Sequence, residues 1–217
     1  MDTANNMKNT FRYLFTFLLV SFQSLNAQSK VESFYNYDFQ KISKEKFDSI
    51  ADLRGYSYNQ FETEDQIANI LYQPTTKGKL NSEEYDSLKK MLSKIAPLKN
   101  EFIIIIYYPG KDKCNKQNAR SGWNIFDRDF KEEVNRLSIN NVFWIYKNNE
   151  DLKYYYPRTS KWQKDENAVI EKLFFKMHYP CFSSTTIDKN GNYISKLGEF
   201  GKQHVIQNIK ELNNNIH

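Results

Sequence analysis

Two cysteines, Cys114 and Cys181, are the positions in this chain where reactive chemistry could start. A thiolate is both the nucleophile of thiol chemistry and a soft metal donor. Cys114 lies among Lys111, Lys113 and Lys116, whose positive field favours the thiolate, while Asp112 opposes it. The bland reading is a small loop cysteine without a function. Cys181 follows Pro180 directly and His178 by three residues; its bland reading is a buried apolar cysteine. His178 is a candidate base or, with the thiols, a soft-metal ligand. Yet His204 and His217 are scattered, and no CxxC or paired-His spacing supports a metal centre. An ordinary loop histidine is the plainer reading, so soft-metal (copper) handling ranks last, no metal ligands are assigned and no cofactor is implied. After Cys114, Trp123 with Arg120 and Lys113 is a candidate binding surface, Arg120 facing an anionic group. A helix-entry staple with solvated charges, Arg128 included, is the alternative.

The compartment decides what two cysteines mean. Lys8 and Arg12 precede an uncharged run, Tyr13 to Phe22, and Ser24-Leu25-Asn26-Ala27 ends in a small residue. Met7 is a possible start codon. These are the parts of a cleavable export signal, with the cut expected before Gln28. The run is about half the ~20 apolar residues that span a bilayer, so a membrane anchor is not expected. No cysteine follows the run as a lipoprotein anchor would require. The mature chain is therefore expected in a periplasm or outside the cell, where thiols can pair. Two cysteines make no disulfide-rich scaffold, so the fold must rest on its own core.

The whole chain carries 31 Lys and Arg against 26 Asp and Glu, net +5. Removal of Lys8, Arg12 and Asp2 with the signal leaves +4, spread along the chain. No basic patch emerges, so nucleic acid is not expected as a partner. An unknown envelope or secreted protein is the partner class that fits export.

The elements that would position the cysteines follow from periodicity. Residues 28–100 read as a smaller, mostly helical N-terminal region. Tyr35, Tyr37 and Phe39 alternate with polar residues as in a half-buried strand. Capping-box spacings at Thr63–Gln66 and Asn81–Glu84 open two helices, separated by Pro74 and Gly78. From residue 101 the patterns sharpen. Phe102 to Tyr108 is a continuous apolar run closed by Pro109-Gly110, as in a central strand buried on both faces. Phe126, Phe130, Val134 and Leu137 recur at helical spacing, and Val142 to Tyr146 is a second buried strand. Tyr154-Tyr155-Tyr156-Pro157 with Trp162 reads as a recognition loop or as a flap over the sheet edge. Val169, Leu173 and Phe174 mark a helix. Phe182 to Ile187 and Tyr193 to Leu197 flank the Asn190-Gly191 hairpin signal. Val205, Ile206, Ile209 and Leu212 form the last helix. The expected fold is α/β, a mixed sheet flanked by helices over residues 101–217.

This succession resembles the thioredoxin-like superfamily, including its exported and peroxiredoxin-like branches. The resemblance covers roughly residues 101–212 and rests on order more than motif. One carrier is the buried strand entering Tyr107-Tyr108-Pro109-Gly110-Lys111-Asp112-Lys113-Cys114. The other is Tyr179-Pro180 before the strand ending in Ile187-Asp188, followed by Asn190-Gly191. The resemblance implies that Cys114 starts a helix, whose dipole would lower its pKa, and that Pro180 is the cis-proline beside it. Those placements would bring Cys181 near Cys114, within reach of a disulfide across the site.

The departures are specific. The family's dithiol motif holds two cysteines separated by two residues, and here Cys114-Asn115-Lys116-Gln117 puts glutamine at the second position. No hydroxyl residue lies between Pro109 and Cys114, against the peroxiredoxin pattern. Neither the standard CxxC cycle nor peroxidase chemistry is expected. Two classes of function remain. One is a redox-inactive or structural variant serving as a binding module of the cell envelope. The other is an atypical thiol-disulfide oxidoreductase, with Cys114 as nucleophile and Cys181 as its resolving partner.

Overall fold

The structure, a computed structural model, describes residues 30–98, 101–112, 114, 129–137, 140–152 and 161–214. The expected export segment, residues 1–27, lies outside them. Among the described residues, no helix is long and apolar enough to cross a membrane. The chain forms two mixed sheets flanked by helices, an α/β fold.

The first sheet contains β1 (Val31–Tyr35), β2 (Lys41–Ile42), β3 (Ser57–Glu62) and β4 (Gln66–Tyr72), in the order β2-β1-β4-β3. The expected alternating strand stops at Tyr35, because Asn36 turns the chain. Its Oδ1 accepts the N–H groups of Asp38 and Gln40, and Phe39 adopts φ +61°. Helix α1 (Lys44–Ala51), capped by Ser43, lays the buried Phe47 against Phe34 and Tyr58 at ring separations of 5.1 and 5.5 Å.

The helix expected from Thr63–Gln66 is absent; residues 66–72 are β4 instead. Thr63 Oγ1 accepts the Gln66 N–H at 3.1 Å, the bond a capping box requires. But the Thr63 N–H donates to the Gln66 carbonyl at 2.9 Å, which closes a turn between β3 and β4. β4 pairs with β1 on one side and β3 on the other, so both its edges are satisfied as strand. The N-terminal region is thus mainly sheet, not mostly helical.

β4 then runs through Gln73-Pro74 into β5 (Thr75–Lys79), which belongs to the other sheet. Pro74 has no N–H to continue a ladder, while its carbonyl accepts the Leu197 N–H at 2.8 Å. Helix α2 (Ser82–Leu92) begins with the predicted capping box at Asn81 and Glu84. Its Leu88 and Leu92 pack into one core with Ile103 and Ile105. The expected boundary at residue 100 is therefore crossed, since β5 and α2 complete the second body.

That body is built on β6 (Phe102–Tyr108), whose every residue is buried. Its alternation splits the core in two. Phe102, Ile104, Ile106 and Tyr108 face the buried residues of α3 (Asp129–Leu137) and α5 (Lys202–Asn214). Ile103, Ile105 and Tyr107 face α2 and α4 (Val169–Phe174). β7 (Asn140–Tyr146) lies parallel to β6, and β8 (Trp162–Lys164) parallel to β7. β9 (Ser183–Asp188) runs antiparallel to β6, followed by β10 (Asn192–Lys196). The order is β5-β10-β9-β6-β7-β8. The β9–β10 hairpin forms as the Asn-Gly signal predicts. Gly191 takes φ +81°, and the buried Asp188 carboxylate accepts from the N–H groups of Asn190 and Asn192.

Candidate functional site

Cys114 and Cys181 are joined in a disulfide, with Cα atoms 5.1 Å apart. The fold accounts for the meeting. β6 and β9 are antiparallel, with Tyr107 opposite Ser183, so the exit of one strand lies beside the entry to the other. Cys114 follows the exit and Cys181 precedes the entry. Beyond β6 the chain turns at the buried Gly110, where φ is +126° and an added Cβ would lie 3.2 Å from Asn148. Tyr108 secures the same corner by donating its hydroxyl to the Glu150 carbonyl at 2.6 Å.

The two sulfurs occupy unlike environments. Cys114 is exposed, whereas Cys181 is 1% exposed and packs in the core beside Phe182. Cys181 has φ +65°, a left-handed backbone that a β-carbon disfavours. Such a conformation persists where its surroundings over-determine it. Here the disulfide holds the side chain, and Asp112 Oδ2 accepts the Cys181 N–H at 2.9 Å.

This geometry corrects the expectation for Pro180. No cis peptide occurs among the described residues, so the Tyr179–Pro180 bond is trans. The reversal falls one residue later, at Cys181, and trans is the default that needs no imposed strain.

Asp112 joins more than the backbone. Its Oδ2 lies 3.0 Å from His178 Nε2, while the His178 carbonyl accepts from Asn59 Nδ2 on β3. His178 is thus a partner of Asp112, tied to the first sheet, and not a member of a thiol-histidine set. Lys111, expected to favour a thiolate, is engaged by Asp151 at 3.0 Å and Glu150 at 3.2 Å. Those hydrogen bonds, Asp151 first, raise its pKa. Its charge is compensated where it stands, so it lends Cys114 little field.

Glu199 is the neighbour that sequence reasoning missed. Its carboxylate and the two sulfurs offer three donor atoms within 4.8 Å of one another. The approach depends on Gly198, with φ +74°, whose N–H donates to Ser183 Oγ at 3.0 Å. A Cβ there would stand 3.3 Å from the Pro180 carbonyl. The only sequence trace is a glycine just past a hairpin strand, too common a feature to point at a cysteine.

Lys113, Arg120, Trp123 and Arg128 lie outside the described residues, as do Lys116, Tyr154–Pro157 and the segment expected to start a helix after Cys114. Trp162 is described. It sits on β8, the edge strand of the second sheet, and packs against the core on Trp144, Phe182 and Tyr108 at 5.4, 6.0 and 6.4 Å. No family model, curated protein or solved structure matches the chain.

Proposed function

We propose that this is an exported thioredoxin-like protein whose Cys114–Cys181 bridge is an atypical thiol-disulfide exchange centre. The observation that carries the reading is the asymmetry of the pair, one sulfur exposed and its partner buried. The strand order around β6, with β7 parallel on one side and the β9–β10 hairpin on the other, supports the thioredoxin-like part. Export rests on the first twenty-seven residues of the sequence.

The exchange runs as follows. A thiolate of a reduced dithiol protein attacks Cys114 Sγ, forming a mixed disulfide and breaking the bridge. Cys181 leaves as a thiolate in an apolar setting and takes up a proton. The partner's second thiolate then attacks its own bridged sulfur and releases Cys114. Two electrons pass from the partner dithiol to the bridge, and the partner leaves oxidised. The Asp112 carboxylate, paired with His178, holds the backbone of the leaving cysteine in place.

A second reading, a binding module with a locked bridge, is favoured by the charges at hand. Asp112 and Glu199 are anionic and Lys111 is compensated, so little among the described residues favours a thiolate. A glutathione redox titration with thiol counting separates the two. Reversible reduction at a midpoint between about −120 and −270 mV, the span of known disulfide-exchange proteins, supports exchange. A midpoint below about −300 mV marks a structural staple and removes the exchange reading.

A further inference from the structure

We propose that the reduced site binds one zinc ion through Cys114, Cys181 and Glu199, leaving a fourth position open. The inference rests on the exchange reading in one respect, that the bridge opens while the protein stays folded.

The three donor atoms already lie within 4.8 Å of one another. Zinc–sulfur bonds of about 2.3 Å and zinc–oxygen bonds of about 2.0–2.2 Å place tetrahedral donors about 3.4–3.8 Å apart. Once the sulfur–sulfur bond is broken, small side-chain movements bring the donors to that spacing. The exposed position of Cys114 gives its side chain room to move outward. Cys181 is fixed by the N–H bond to Asp112, and its depth in the core makes it the inner anchor.

Glu199 is suited to complete the set. Its side chain is exposed and makes no hydrogen bond or ion pair among the described residues. Its backbone is pinned on both sides, by the Gly198 N–H to Ser183 and by the buried Phe200. Asp112 is taken by Cys181 and His178, so it supports the site from outside. Two thiolates select a borderline-soft ion over calcium or magnesium, and one carboxylate is a normal third ligand for zinc.

The site is gated by oxidation state. A dithiol reductant supplies two electrons and two protons, opening the bridge to two thiols and becoming a disulfide itself. Zinc then binds both sulfurs and two protons pass to solvent. In the oxidised protein the same sulfurs are bonded to each other and the site does not exist.

The test uses the purified protein, oxidised and after dithiothreitol reduction, freed of reagent without air. Thiols are counted and folding is checked by circular dichroism before zinc is titrated against a chromophoric chelator. Reduced protein is expected to bind one equivalent and oxidised protein none. Cobalt(II) in place of zinc should give thiolate-to-metal absorption in the reduced form alone. Glu199→Gln should weaken binding at least about tenfold, a loss that outer partners of metal ligands can already cause. Cys114→Ser should weaken it further. Two thiols released with no zinc bound, or equal affinity in Glu199→Gln, overturns this proposal and leaves the exchange reading standing. A bridge that opens only on unfolding overturns both.

Discussion

The side chain of Asn59, on β3 of the first sheet, donates its amide to the carbonyl of His178, 119 residues later in the loop that carries Cys181. The N-terminal region therefore braces the site instead of standing apart from it. A second brace lies alongside, where Tyr72 meets Tyr179 edge-on at 5.1 Å. Asn59→Ala should cost about 0.5–1.5 kcal/mol, the usual net worth of one hydrogen bond. Its bridge should also reduce faster in dithiothreitol, because the 175–182 loop loses a tether. Urea denaturation and timed thiol labelling check both outcomes, and an unchanged reduction rate would deny the bracing role.

Cys114→Ser removes the bridge with little disturbance of packing, since its side chain is exposed. The cysteines are 67 residues apart, and constraint of the unfolded chain over such a loop is worth about 4 kcal/mol in the chain-entropy model. A loss of about 2–4 kcal/mol is expected in oxidising buffer. Cys181→Ser should cost more, because it also buries a hydroxyl in the core around Phe182. Reduced wild type should fall close to Cys114→Ser in its urea midpoint.

Gly78→Ala tests the outer edge of the second sheet. Gly78 pairs with Tyr193, and an added Cβ would stand 2.6 Å from the tyrosine hydroxyl oxygen. That ring cannot withdraw freely, because it packs edge-on against Phe174 at 5.1 Å. A loss of about 1–3 kcal/mol is expected, the range for overpacking. Adding Tyr193→Leu should recover part of it, whereas a simple backbone-entropy account predicts that alanine stabilises.

Asp165 gives the fold a specific pH dependence. Burial is the main cause that raises its pKa above the ordinary 3.8, opposed by hydrogen bonds from Ile170 and Glu171. An acid with a raised native pKa binds more protons folded than unfolded. Its contribution is complete below 3.8 and is lost as pH rises through the native value. Asp165→Asn removes that titration, so wild type should lose stability relative to the variant between acid and neutral pH. Denaturation of both proteins at matched pH values measures the difference, and a gap independent of pH refutes it.

The legible parts of the chain were those where one signal had one meaning. The unbroken apolar run at Phe102–Tyr108 reads as a strand buried on both faces, and it is one. Asn81 with Glu84 forms its capping box, and Asn190-Gly191 its hairpin. Thr63–Gln66 misled because a side-chain cap closes a β-turn as readily as it opens a helix. β5 was hidden because Thr-Thr-Lys-Gly-Lys carries no apolar periodicity; it is a strand through its pairing with β10. At the site, the residue types of Cys114 and Cys181 pointed to their chemistry, and a resemblance suggested their nearness. The roles of Asp112, His178 and Glu199 depend on where loops cross, which spacing along the chain does not encode.

The passage of the chain from β4 in the first sheet to β5 in the second sets an order in which the fold can be completed. β5 is made more than a hundred residues before β10, the one strand it pairs with among the described residues. It must wait unpaired while the rest of the sheet emerges. The same holds for Cys114, whose partner arrives 67 residues later, at the entry to β9. The outer edge and the bridge are thus late acquisitions. A chain cut off before residue 181 would lack both the bridge and the partner of β5, and would present an open strand edge, the kind of feature that invites aggregation.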